Sequence, residues 1–150
     1  MSLLIAFILT ILPLRDNWII LRPEWIALTL IHWALVAPSR TSLVVAWVVG
    51  LLVDVLYGSI IGQHALGFVI ILIMSLRMRS RLLVDSTIQQ LFLVFLVLGT
   101  YLLINLWILG ITGSAPAGWD YWVTVITSLV IWPLYHYYLS FFHTTKKPFE

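Results

Sequence analysis

The sequence has no cysteine, which excludes disulfides, thiolate catalysis and cysteine-ligated metals and leaves the redox compartment unread. Charge is almost as scarce: 9% of the 150 residues are Asp, Glu, Lys or Arg, whereas a soluble domain carries roughly a quarter. A surface cannot be covered in water with so few charges. The apolar segments contain no paired aspartates, no serine with a histidine and no H-E-x-x-H motif, and no phosphate-binding glycine loop followed by Lys is present, so the common intramembrane-protease and nucleotide chemistries lack their groups. The four histidines show no metal-ligand spacing.

What the chain has instead is apolar bulk, with 62% hydrophobic residues and a mean hydropathy of +1.07. Lipid is the solvent this composition suits. A span takes about 20 residues, so the expected fold is an all-α integral membrane protein of about six transmembrane helices forming a single polytopic domain over residues 1–150. The helices are placed at Ser2 to Leu14, Pro23 to Ala37, Thr41 to Tyr57, Ile60 to Leu76, Ile88 to Ile111 and Tyr121 to Phe142. The first two reach only about 20 Å against a hydrocarbon core of about 30 Å. The run from Ser2 lacks a basic leader and a small-residue cleavage site, and is expected to be a retained span.

Basic residues orient the bundle. With both termini in the cytoplasm, the inner side holds Arg40, Arg77, Arg79, Arg81, Lys146 and Lys147, and the outer side only Arg15 and Arg22. Trp18, Trp25, Trp119, Tyr121 and Trp122 form an expected outer aromatic belt, and Tyr135, Tyr137 and Tyr138 part of an inner one. Pro23 suits a first helical turn, Pro38 closes the second helix, and Gly113, Pro116 and Gly118 mark the longest outer loop. Pro133, inside the last span, is expected to kink it near Leu129.

The segment Gly50 to Gly67, G-L-L-V-D-V-L-Y-G-S-I-I-G-Q-H-A-L-G, sets a carboxylate among lipid-soluble residues, where a charge needs a partner or a function. Gly50, Asp54 and Gly58 recur every four residues on one helix face, a smooth groove with Asp54 at its centre. Gly62 continues the rhythm past the turn, and Gly67 offers a further contact. Asp54 and His64 lie about one turn on either side of the connection at Gly58 to Ile60, so a helical hairpin brings them to similar depth with Gln63 beside them. Two readings stay open: a clasp fixing the hairpin, or a site for a polar headgroup or a partner's side chain. His32 and Asn105 read as interhelical hydrogen bonds, and His136 as an interfacial residue.

The segments R-P-E-W at Arg22 to Trp25, A-P-S-R at Ala37 to Arg40, and G-L-L-V-D-V-L-Y-G-S-I-I-G-Q-H-A-L at Gly50 to Leu66 resemble the rod shape-determining MreD family. The resemblance singles out Pro23, Trp25, Pro38, Arg40, Gly50, Asp54, Gly58, Gly62 and His64. It implies a non-enzymatic scaffold of the bacterial cell-elongation complex in the inner membrane, without cofactor or nucleic acid. The implied partners are MreC and, through it, MreB, RodA and its penicillin-binding transpeptidase. It also implies a fold similar to the substrate-binding subunits of energy-coupling-factor transporters. The alternative is a membrane-embedded module holding a lipid headgroup or cell-wall precursor in an outer-facing pocket near Asp54 and His64.

Overall fold

Long apolar runs punctuated by Pro, Ser and Gly satisfy their backbone groups without water by closing each N–H and C=O inside a helix, the alternative, a closed barrel, needing strands of alternating polarity. The computed structural model describes residues 2–11, 22–82, 86–113, 118 and 120–144. Among them are six α-helices and no strand: α1 (Ser2–Ile11), α2 (Trp25–Val36), α3 (Leu43–Tyr57), α4 (Gln63–Leu82), α5 (Thr87–Ile111) and α6 (Asp120–Thr144), with a 3-10 turn at Pro38–Arg40 between α2 and α3. Arg15, Trp18, Pro116, Trp119, Lys146 and Lys147 lie outside the described residues, as do the side chains of Arg40 and Arg81.

Two boundaries depart from expectation for local reasons. Residues Ile60 to Gly62 form the turn itself, so α4 starts at Gln63, and it runs on to Leu82. The stretch from Arg77 to Leu82 contains good helix formers and no breaker, and cations suit a helix C-terminus. Arg77 and Arg79 therefore ride the last turns of α4 rather than a loop. The α6 helix is continuous across Pro133. At the start of α5, the Ser86 hydroxyl accepts from the Gln89 backbone while the Gln89 side chain accepts from the Ser86 N–H, a reciprocal cap. This 25-residue helix is apolar and long enough to cross a bilayer, at about 37 Å. The apolar helices α1, α2 and α3 are shorter.

Cross-helix contacts fix the directions. The Trp33 indole donates to Ser2 Oγ at 2.9 Å and the Arg22 guanidinium to the Leu9 carbonyl at 3.0 Å, so α1 and α2 are antiparallel. Gln63 meets Asn105 while Gly67 meets Tyr101, and Tyr121 meets Leu102 while Trp132 meets Gln90, which makes α4 antiparallel to α5 and α5 to α6. Between α2 and α6 the rungs climb together. The Glu24 N–H donates to Ser128 Oγ at 3.2 Å, Thr29 and Tyr135 share a 2.8 Å bond, and the Nδ1 atoms of His32 and His136 lie 3.0 Å apart, so these two helices run parallel. The result is an up-and-down bundle.

Helix α2 is its axis: Ile26 to His32 and Ala34 are buried, and it packs against α1, α4, α5 and α6. A helix apolar on every side suits a buried or membrane-embedded position. The exterior is apolar as well, with Val44, Trp47, Val55, Trp107, Val130 and Leu134 exposed, while His32, Asp54 and Asn105 are buried. Water-soluble monomers do not expose apolar surface on this scale. Two expectations are corrected here. Tyr135 is buried, bonded to Thr29 and tilted against Trp25 at 5.5 Å between ring centroids, so it belongs to the bundle interior rather than an inner belt. His136 is drawn inward by His32, which needs a polar partner at its buried position.

Candidate functional site

The residues of the Gly50–Gly67 segment converge at the α3–α4 hairpin. Helix α3 ends because Gly58 adopts the left-handed conformation, φ 62° and ψ 27°, which spares the Cβ penalty other residues would meet. The Ser59 N–H then returns to the Asp54 carbonyl at 3.0 Å, closing the helix end. Gly62, at φ 101°, turns the chain into α4, and its carbonyl accepts the first helical bond, from Leu66 at 2.9 Å. Gly62 is thus the N-cap residue of α4, and glycine has no side-chain oxygen with which to cap.

Asp54 supplies that oxygen from across the hairpin. Its Oδ2 accepts from the N–H of Gly62 at 2.8 Å and of Ala65 at 3.5 Å, and its Oδ1 from the His64 N–H at 2.9 Å, His64 Nδ1 at 2.8 Å and the Ser59 hydroxyl at 2.8 Å. A carboxylate can only accept, so the His64 Nδ1 carries the proton in this pair. The first-turn amides of a helix are also its positive pole, and an anion is stabilised there. The carboxylate is fully buried, and its burial is offset by five donors on one short stretch of chain. The same approach explains Gly50, where a Cβ would overlap the Ala65 Cα and crowd its amide.

Gln63 faces away from this cluster, donating to Asn105 Oδ1 at 3.0 Å, while Asn105 Nδ2 donates to the Tyr101 carbonyl at 3.0 Å. Gly67 admits the Tyr101 ring, which comes within 2.5 Å of where a Cβ would lie. Beside the hairpin opens a cavity of about 470 Å³, whose lining includes Glu24, Tyr57, Ser59, Gln63, His64 and Tyr121. It sits at the end of the bundle where α3 and α5 finish and α2, α4 and α6 begin. Burial pushes the Glu24 carboxyl above the usual carboxylate range, opposed by the charges of His64 and Arg22.

The structure brings together Gly50, Asp54, Gly58, Gly62 and His64, with Gln63 in the adjoining cavity wall. Pro23 and Trp25 lead into α2 at the same end, and Pro38 and Arg40 form the 3-10 turn at the other. Sequence reading missed Ser59 and the amides of Gly62, His64 and Ala65 as partners of Asp54. Ser59 had a signal, as the residue after a helix-ending glycine; backbone amides carry none. Glu24 was missed as a cavity residue because it comes from a helix remote in sequence.

A helical bundle with an apolar exterior, buried polar pairs and a carboxylate-capped hairpin at one end defines a class of membrane-associated helical protein. Residues 1–142 match the family described as rod shape-determining protein MreD, and the chain belongs to that family. It is 37% identical over 62 residues to the rod shape-determining protein MreD of Haemophilus influenzae, a match covering 41% of this chain and 38% of that relative. No solved structure matches the chain.

Proposed function

We propose that this chain is a single-domain, multi-pass, non-enzymatic scaffold of the bacterial cell-elongation complex. In this reading it lies in the inner membrane with both termini in the cytoplasm and binds MreC, and through it serves MreB, RodA and the penicillin-binding transpeptidase. The observation that carries the reading is the saturation of Asp54. Asp54, fully buried, is held by five donors of its own hairpin, so it serves architecture and is not poised as a base or nucleophile. The alternating helix directions support six crossings, with α1 and α2 thinning the bilayer around them. Arg77 and Arg79 lie at the end of α4 remote from the cavity, so the positive-inside rule turns the cavity outward.

The exposed face of α3, with Val44, Trp47, Val48 and Val55, is where a partner's transmembrane helix would lie. Photoreactive side chains placed along α3 and α5 in living cells test this. Capture of MreC along one helical stripe is expected; capture of lipid alone at every position would defeat the scaffold reading.

A second reading, a binding module for a lipid headgroup or cell-wall precursor, is favoured by the cavity of about 470 Å³ beside the hairpin. That size falls within the roughly 300–1,000 Å³ of small-molecule sites. A likeness to the substrate-binding subunits of energy-coupling-factor transporters belongs to this reading, supported by a cavity at one end of a helical bundle.

A further inference from the structure

We infer that the cavity at the α3–α4 hairpin selects a ligand that carries an ammonium group, of the size of a lipid headgroup. The inference rests on the binding-module reading and names the chemistry its ligand must have. Glu24 brings a carboxylate to the wall, and no lysine or arginine is among the described residues that line the cavity. Arg22, two residues away and outside the lining, donates to the Leu9 carbonyl at 3.0 Å while its charge also acts on Glu24. His64, also in the wall, is engaged through Nδ1 by Asp54 at 2.8 Å. An anionic group entering here would meet the Glu24 carboxylate with no lysine or arginine side chain among the described lining residues.

Three tyrosines complete the cavity's character. Tyr57, Tyr101 and Tyr121 all line it together with Glu24. A carboxylate among aromatic rings is how proteins hold ammonium cations, the ring faces supplying negative potential and the carboxylate the counter-charge. Two of the rings are fixed: Tyr101 stacks on Phe68 at 5.8 Å between centroids, and the Tyr121 hydroxyl donates to the Leu102 carbonyl at 3.2 Å. Tyr57 is half-exposed at the rim. Burial disfavours the charged form of Glu24, and an ammonium group beside it removes that penalty. At about 470 Å³ the cavity exceeds a bare cation and suits an aminoalcohol or amino-sugar headgroup.

The test uses the full chain in nanodiscs containing phosphatidylethanolamine and phosphatidylglycerol, with retained lipid counted by native mass spectrometry. Expected is retention of phosphatidylethanolamine over phosphatidylglycerol by at least about tenfold, lost in Glu24→Gln and reduced several-fold in Tyr57→Leu, whose half-exposed side chain leaves the core intact. Displacement by glycerophosphoethanolamine in solution would support the ammonium and assign a free source rather than the bilayer. Equal retention of the two lipids, or a preference unchanged in both variants, overturns the inference. Cavity-filling Leu109→Trp separates the two levels. If it expels both lipids without a preference between them, the cavity binds and the ammonium selection is wrong; if it expels neither, the binding-module reading falls as well.

Discussion

Replacing Asp54 by Asn changes one oxygen to an NH₂ and removes one charge, in a group that accepts five bonds. The amide oxygen would keep the richer side, facing Ser59, the His64 N–H and His64 Nδ1. Its NH₂ would then confront the N–H of Gly62, a 2.8 Å contact in the native protein, donor against donor. A hydrogen bond to a charged group is worth about 1.5–3 kcal/mol, and an anion at a helix N-terminus about 0.3–1 kcal/mol. The expected loss is therefore about 2–4 kcal/mol, with the α3–α4 hairpin loosened first. Reversible unfolding in mixed micelles, monitored by tryptophan fluorescence, reads the stability. Amide exchange at Gly62, His64 and Ala65 reads the local effect. A loss below about 0.5 kcal/mol, within the range of ordinary surface substitutions, with unchanged exchange at those amides, would refute the capping argument.

Gly50→Ala drives a methyl into the Ala65 backbone and is expected to cost about 1–3 kcal/mol through overpacking; a neutral result in the same unfolding assay would mean the helices are not in contact there. Gly62→Ala places a side chain at φ 101°, for a strain of about 1–3 kcal/mol, to be seen as the same loss of hairpin protection as in Asp54→Asn. His136→Leu removes the contact to the buried Nδ1 of His32, at about 1–3 kcal/mol. The double variant His32→Phe with His136→Leu is expected to lose less than the sum of the single changes, and an additive cycle would rule out their coupling. Because the chain has no cysteine, single Thr112→Cys and Ser80→Cys variants report topology directly. A membrane-impermeant maleimide is expected to label the first in intact spheroplasts and the second only after lysis, and the reverse pattern would invert the bundle.

The hairpin was the most legible part of the fold. Spacing alone put Gly50, Asp54 and Gly58 on one face and brought His64 to similar depth, because both are local properties of two helices joined by a short turn. The same logic does not extend to donors. It paired Asp54 with an imidazole, whereas most of the donors it meets belong to backbone amides and a serine. Any helix start offers such amides, and nothing in the letters says which carboxylate will reach them.

The sequence by itself determined the solvent, the helical class, the helix order and the family, since each depends on composition, run length and local motif. Tertiary structure alone decided that α2 is the buried axis, that Tyr135 and His136 turn inward to Thr29 and His32, and that Glu24 shares a cavity with the hairpin. The two polar pairs join residues about a hundred positions apart. In an apolar bundle almost any face can meet almost any other, so the register is set by where the few polar side chains find partners, which is a property of the packed molecule.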